Sequence, residues 1–191
     1  MTYTRRTNRI QHTEQPGRRR FLKTFLGAAA TLTAVPAWSK LQQAQERTLN
    51  FKNIHTGETL RATYWAEGEY LHSEMTLVNR LLRDYRTGDV HSMDTQLMDV
   101  LFVMQQLVAV DGAYHVISGY RSPATNEQLR EHSSGVAKHS LHMQGKAIDI
   151  CLPGCELKQL RNAAVSMQAG GVGYYPRSNF IHVDTGKVRR W

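Results

Sequence analysis

Cysteine is scarce: the 191 residues contain two, Cys151 and Cys155. One pair cannot furnish four zinc thiolates, so a structural zinc knuckle is not expected. In an oxidising compartment the two can close a small local disulfide across Pro153-Gly154, or they can stay free thiols. No run approaches twenty apolar residues, so an ordinary membrane-spanning helix and stable membrane insertion are not expected. No internal repeat and no low-complexity linker follows residue 45, which leaves one domain after the N-terminal segment. A basic excess is also missing from most of the chain. Residues 1–39 carry 7 of the 24 Lys+Arg and 1 of the 16 Asp+Glu, a net of +6, and the rest has 17 basic against 15 acidic residues, +2. The body therefore lacks the charge that phosphate neutralisation needs, and no nucleic-acid partner is expected. Apolar residues make up 41%, enough for a packed core.

The N-terminal charge reads as an address. Gly17-Arg18-Arg19-Arg20-Phe21-Leu22-Lys23 precedes a short, moderately apolar run that ends in small residues near Pro36. That order is a signal peptide, and the paired arginines before Phe-Leu-Lys resemble a twin-arginine export signal, read by the export machinery rather than used as an anchor. Cleavage after Ala37 or after Ser39 fits equally. Residues 1–39 are expected to be the leader and 40–191 the working domain, outside the cytoplasm in the periplasm. Cargo of this route crosses folded, which suits a protein that acquires its metal beforehand.

In the body, Thr48–Lys52 and Thr59–Trp65 alternate as two strands joined by a turn at Asn53–Gly57. Ser73 is placed to cap a helix from Glu74 to Arg86, with Leu77, Leu81 and Leu82 on one face. A second helix, Asp94 to Val108, is richer in apolar residues and expected to be buried. His115–Ser118 reads as a strand, and Ser122-Pro123 opens a helix to His132 with Ser as cap and Pro at the first position. Lys146–Leu152 is a strand, Glu156–Gln168 a helix, and Gly171–Tyr175 and Phe180–Asp184 are strands. Helices come early and most strands late, which predicts an α+β domain with helices packed on a mostly antiparallel sheet.

Three segments hold the chemistry. In Ser140-Leu141-His142-Met143-Gln144-Gly145-Lys146-Ala147-Ile148-Asp149, Ile148 and Ile150 face the core, so Asp149 points to the other side of the sheet. A carboxylate inside an apolar strand is costly unless it is paired or coordinates a metal. In Phe180-Ile181-His182-Val183-Asp184, His182 and Asp184 share the face opposite Ile181 and Val183. If these strands pair, His142, Asp149 and His182 converge. Two imidazoles and one carboxylate, with a fourth position for water, are the ligands of a catalytic zinc site. The same three side chains can also be read as a polar cluster without metal. In the third segment, Ile117-Ser118-Gly119-Tyr120-Arg121-Ser122, Arg121 sits at a strand-to-helix turn, able to hold a substrate carboxylate or an oxyanion, or to serve as a structural ion pair.

Together S-G-Y-R-S, S-x-H-x-x-G-x-A-x-D and a late strand histidine resemble the zinc D-alanyl-D-alanine carboxypeptidase and murein endopeptidase clan, whose fold the hedgehog signalling domain shares. The leader, the Asn53–Glu58 hairpin and the tract Gly170–Phe180 look like its twin-arginine-exported murein endopeptidase K type. The resemblance implies zinc on His142, Asp149 and His182, assistance from Arg121, and hydrolysis of the cross-link peptides of peptidoglycan. It departs from the pattern at the general base. Many members place a glutamate three residues, or a histidine two residues, before the last ligand, and here those positions are Asn179 and Phe180. Asp184 is the best remaining carboxylate, as the base or as a group that orients a ligand histidine. His139 is a weaker candidate. One of Tyr174 and Tyr175 is expected in a cleft wall. A metal-stabilised module that binds wall peptides without cutting them is the other function these residues allow.

Overall fold

The two isoleucines that flank Asp149 and the Ile181/Val183 pair that flanks His182 are buried on one face of a single sheet, and that alternation decides where the polar residues go. A computed structural model describes residues 1–2, 38–133 and 135–191. Apart from its ends, the expected leader lies outside the described residues.

The elements run α1 (Ser39–Gln43), β1 (Glu46–Asn53), β2 (Thr59–Ala66), β3 (Glu69–Tyr70), α2 (His72–Leu81), α3 (Thr95–Val108), β4 (Tyr114–Ser118), α4 (Pro123–His132), β5 (Ala147–Cys151), α5 (Leu157–Met167), β6 (Gly171–Tyr175), β7 (Phe180–Asp184) and β8 (Arg189–Arg190). Eight strands form one sheet in the order β3-β2-β1-β4-β5-β7-β6-β8. The pairs β1·β4 and β6·β8 are parallel and the others antiparallel, so the sheet is mixed and mostly antiparallel, in an α+β fold. None of the helices among the described residues is long and apolar enough to cross a membrane.

Helix α3 is apolar nearly all round, and Leu97, Met98, Leu101, Val103 and Met104 are completely or almost completely buried against the sheet and α5. Asp94 caps it by accepting from the Gln96 N–H at 2.9 Å, and Ala109 ends it in the left-handed region at φ 51°. Ser122 caps α4 through the Thr125 N–H, with Pro123 at the first position as expected.

Helix α2 differs from the expectation at both ends and in its face. It begins at His72 rather than behind a Ser73 cap and stops at Leu81 rather than Arg86. The chain leaves the helix because Asp84 organises a turn: its N–H donates to the Asp89 carbonyl and its carbonyl accepts from Gly88. The buried face is Met75, Val78 and Leu81, and Leu77 is 47% exposed. The short elements β3 and β8 and the parallel β1·β4 pairing were not foreseen.

One buried polar cluster ties β1, β2, β3 and α3 together. Asp99 on α3 accepts from Arg47 Nη1 and the Tyr64 hydroxyl at 2.8 and 2.9 Å on one oxygen, and from the Tyr70 hydroxyl at 2.7 Å on the other. Burial beside this carboxylate pushes the Tyr64 phenol far up, so it remains a protonated donor. The Arg47 guanidinium also lies 4.0 Å from the Trp65 ring centroid.

Candidate metal centre

Strands β5 and β7 pair with Asp149 directly opposite His182, so both side chains project from the same face. His142 arrives from outside the sheet, on a 3-10 turn over Leu141–Gln144. Ser140 starts that turn by accepting from the His142 N–H, and Gly145 ends it at φ 66°. His142, Asp149 and His182 are thereby brought together with all their ligand atoms within 4.8 Å of one another.

The hydrogen bonds behind the two rings determine what faces inward. His142 Nδ1 lies 2.7 Å from the Gly119 carbonyl, which can only accept, so Nδ1 carries the proton and Nε2 presents a lone pair. His182 Nε2 lies 2.9 Å from Asp184 Oδ2 and donates to it, so in the neutral ring, the form that binds a metal, Nδ1 presents a lone pair. These two lone pairs and Asp149 Oδ1 form a triangle with sides of 3.2, 2.9 and 3.3 Å. Three acceptors cannot satisfy one another, and a single shared proton would bridge only one pair. A cation satisfies all three. For a tetrahedral site with ligand bonds of about 2.0–2.1 Å, neighbouring ligand atoms lie roughly 3.3–3.4 Å apart, which the triangle approaches. The donor set therefore fits a metal ion with one position open to the cleft.

Burial and charge act in opposite directions here. Burial pushes the His142 imidazole down, towards its neutral, ligating form. Burial also acts to raise Asp149, but the His142 and His182 imidazoles outweigh it and hold the carboxyl well below its usual range. For His182, burial is outweighed by the Asp149 and Asp184 carboxylates, which raise it.

Arg121 reaches the same carboxylate from the turn after β4. Its Nε donates to Ser118 Oγ at 2.8 Å and its Nη2 is paired with Asp149 Oδ2, leaving Nη1 without a partner among the described residues. The turn is held by close backbone approach. The Tyr120 N–H donates to the Leu82 carbonyl at 2.8 Å, and a Cβ on Gly119 would collide with that carbonyl oxygen. Asp84 fixes the next residue by accepting from the Ser122 N–H at 2.9 Å.

Asp184 is fully enclosed. One oxygen accepts from the Gly171 and Gly186 N–H groups and Arg189 Nη1, the other from Arg189 Nη2 and His182 Nε2. Burial opposes ionisation, yet these donors hold its carboxyl well below the usual range. Asn179 lies at the head of β7 with φ 53°, and Phe180 stacks on Tyr175 at 4.6 Å between centroids.

A cleft of about 290 Å³ opens over the three ligands, lined by Arg121, His139, Tyr175, Phe180, Arg189 and Trp191 among others. Of the two tract tyrosines, Tyr175 lines it, and Tyr174 packs against the core. Sequence reasoning missed Arg189 and Trp191. Trp191 lies 5.3 Å from the His182 ring and donates from Nε1 to the Tyr175 hydroxyl at 2.8 Å. Its ring occupies the space that a Cβ on Gly173 would fill, which is the physical reason for a glycine opposite His182. Cys151 and Cys155 are free thiols away from this cleft.

A family model described as "Peptidoglycan L,D-endopeptidase MepK", of the peptidase M15 group, matches residues 41–191. The peptidoglycan L,D-endopeptidase MepK of Escherichia coli strain K12 is 45% identical over 166 residues, covering 87% of this chain and 90% of that protein. The MepK of Shigella flexneri matches to the same extent. A probable peptidoglycan L,D-endopeptidase MepK of Haemophilus influenzae is 44% identical over 146 residues, covering 76% and 78%.

Proposed function

The chain belongs to the M15 peptidase family of the peptidoglycan L,D-endopeptidase MepK type, and from that premise we propose that it is a zinc peptidase cutting the diaminopimelate–diaminopimelate cross-links of peptidoglycan. The observation that carries this reading is the convergence of three acceptor atoms, from His142, Asp149 and His182, at the floor of an open cleft. A zinc ion held there would supply a water of lowered pKa and polarise the scissile carbonyl.

The remaining work falls to the chain's own groups. Arg121 Nη1 holds the substrate carbonyl oxygen as charge builds on it, while Nη2 keeps Asp149 oriented. Asp184 orients His182: all its acceptor capacity is committed, so it keeps the ligand nitrogen unprotonated rather than taking a proton from water. His139 lines the cleft and its imidazole makes no hydrogen bond to a described residue, which leaves it as the group that carries the proton. Tyr175, Phe180 and Trp191 form the aromatic wall that excludes water beside the ligands.

Residues 1–39 serve as a twin-arginine leader and residues 40–191 as the working domain in the periplasm. The arginine pair, the apolar run and the small residues before position 40 support this route.

The test is digestion of purified peptidoglycan by zinc-loaded protein, with and without a chelator, followed by separation and mass analysis of the muropeptides. Diaminopimelate-linked dimers are expected to disappear only without chelator. Unchanged dimers, with zinc bound and the protein retained on the wall, would replace hydrolysis by a binding module.

A further inference from the structure

A second groove, of about 280 Å³, runs beside the cleft. Arg121, Asp149 and Phe180 line both, so the two depressions meet beside Asp149, one of the three ligand residues. The far part of the second groove is walled by His55, Tyr85, Arg86 and Leu129. A cross-linked wall peptide has an arm on each side of the bond to be cut, whereas a substrate trimmed at its end needs room on one side only. Two grooves joined beside Asp149 match the two-armed molecule.

Charge narrows what the second groove holds. Of the charged side chains along the two grooves among the described residues, Arg121 is paired with Asp149 and Arg189 with Asp184. Arg83, on the same turn as Arg86, is paired with Glu58. Arg86 forms no ion pair with a described residue, yet it is held in place. Its backbone N–H donates to Asp84 Oδ1 at 3.0 Å, and its guanidinium lies 4.3 Å from the Tyr85 ring centroid. The Tyr85 ring is stacked with His55 at 3.9 Å, and His55 Nε2 is hydrogen-bonded to the Ile117 carbonyl at 3.0 Å. Stacking positions the guanidinium without neutralising it, so its fork of donors is left for a planar anion. Leu129 on the same wall suits the methylene chain of a long amino acid.

We propose that this second groove is the subsite for one arm of the cross-linked peptide, with Arg86 binding that arm's free carboxylate. The proposal rests on the peptidase reading for the identity of the arm. Arg86 and Tyr85 thereby become specificity determinants that favour a two-armed acidic peptide over an end-trimmed one.

The experiment uses zinc-loaded protein and two synthetic cross-linked dimers, one with free diaminopimelate carboxylates and one with those carboxylates amidated. Both Kd, at low temperature, and the kinetic constants are measured. Arg86→Ala is expected to weaken Kd and raise KM about tenfold for the free-acid dimer, with kcat changed less than about twofold. For the amidated dimer, Arg86→Ala and the unaltered protein are expected to match. Arg86→Lys, which keeps charge but loses the fork, falls between. Equal Kd for the unaltered protein and Arg86→Ala on the free-acid dimer, or an equal loss on both dimers, would overturn the subsite. Failure of the unaltered protein to cut either dimer would count against hydrolysis instead, and the Kd comparison would still decide the role of Arg86.

Discussion

His142→Ala is expected to remove bound zinc and to lower hydrolysis of cross-linked dimers by at least about 10³-fold, because a metal held there would supply the lowered water pKa and polarise the scissile carbonyl. His142 is the ligand that the sheet does not supply, and its ring is aimed by the Gly119 carbonyl behind Nδ1. Its loss leaves Asp149 and His182 facing each other at 2.9 Å, close enough to share one proton and become a simple hydrogen-bonded pair. His182→Ala is expected to give the same result from the other side. Asp184→Asn should be milder, about 10–100-fold in zinc affinity, because it weakens the partner behind His182 and not the ligand itself. Elemental analysis alongside muropeptide separation reads all three variants. An alanine variant that lost zinc yet still cut would show that the cluster is not the reacting centre.

The largest stability effect is expected far from the cleft. Asp99→Ala removes the one carboxylate that Arg47, Tyr64 and Tyr70 share, and it leaves the Arg47 guanidinium buried without a counter-charge. Breaking a buried pair in this way costs about 3–5 kcal/mol, a large share of the roughly 5–15 kcal/mol that holds a domain folded. Denaturant titration should show that drop in unfolding free energy. The double change Arg47→Met/Asp99→Leu should recover much of the loss, since it removes the unpaired charge as well as the pair. A fall below about 1 kcal/mol for Asp99→Ala would mean that water reaches Arg47 and the cluster is not closed.

Where the sequence was legible, alternation made it so. Ile148 and Ile150 around Asp149, and Ile181 and Val183 around His182, show which face each polar residue takes, and the paired register of β5 and β7 agrees. Ser122-Pro123 marks a helix start by chemistry that needs no tertiary partner. The end of α2 was not legible, because it depends on the Asp84 turn closing against Asp89 and on contacts to a later turn at Gly119–Ser122. Strand β8 has two residues, too few to show any period, so Arg189 and Trp191 carried no local signal. What could have flagged Trp191 was one glycine: Gly173, opposite His182, implies that something bulky lies over that strand. Asp184 was placed on the right face, but whether it faces the cleft or is enclosed depends on Arg189, which arrives from β8. Arg86 was hidden for the same reason as the helix end, since the groove it lines forms only once that turn folds back against β4 and α4.

The central claim is that one metal ion on His142, Asp149 and His182 performs the hydrolysis. Its most direct test is stepwise return of zinc to metal-free protein, following bound zinc and cleavage of a diaminopimelate-linked dimer in the same samples. Cleavage is expected to rise in proportion to bound zinc and to stop rising at about one ion per chain, the capacity of a single three-ligand site. Full cleavage by the metal-free protein, or zinc binding to saturation with no cleavage at all, would contradict it.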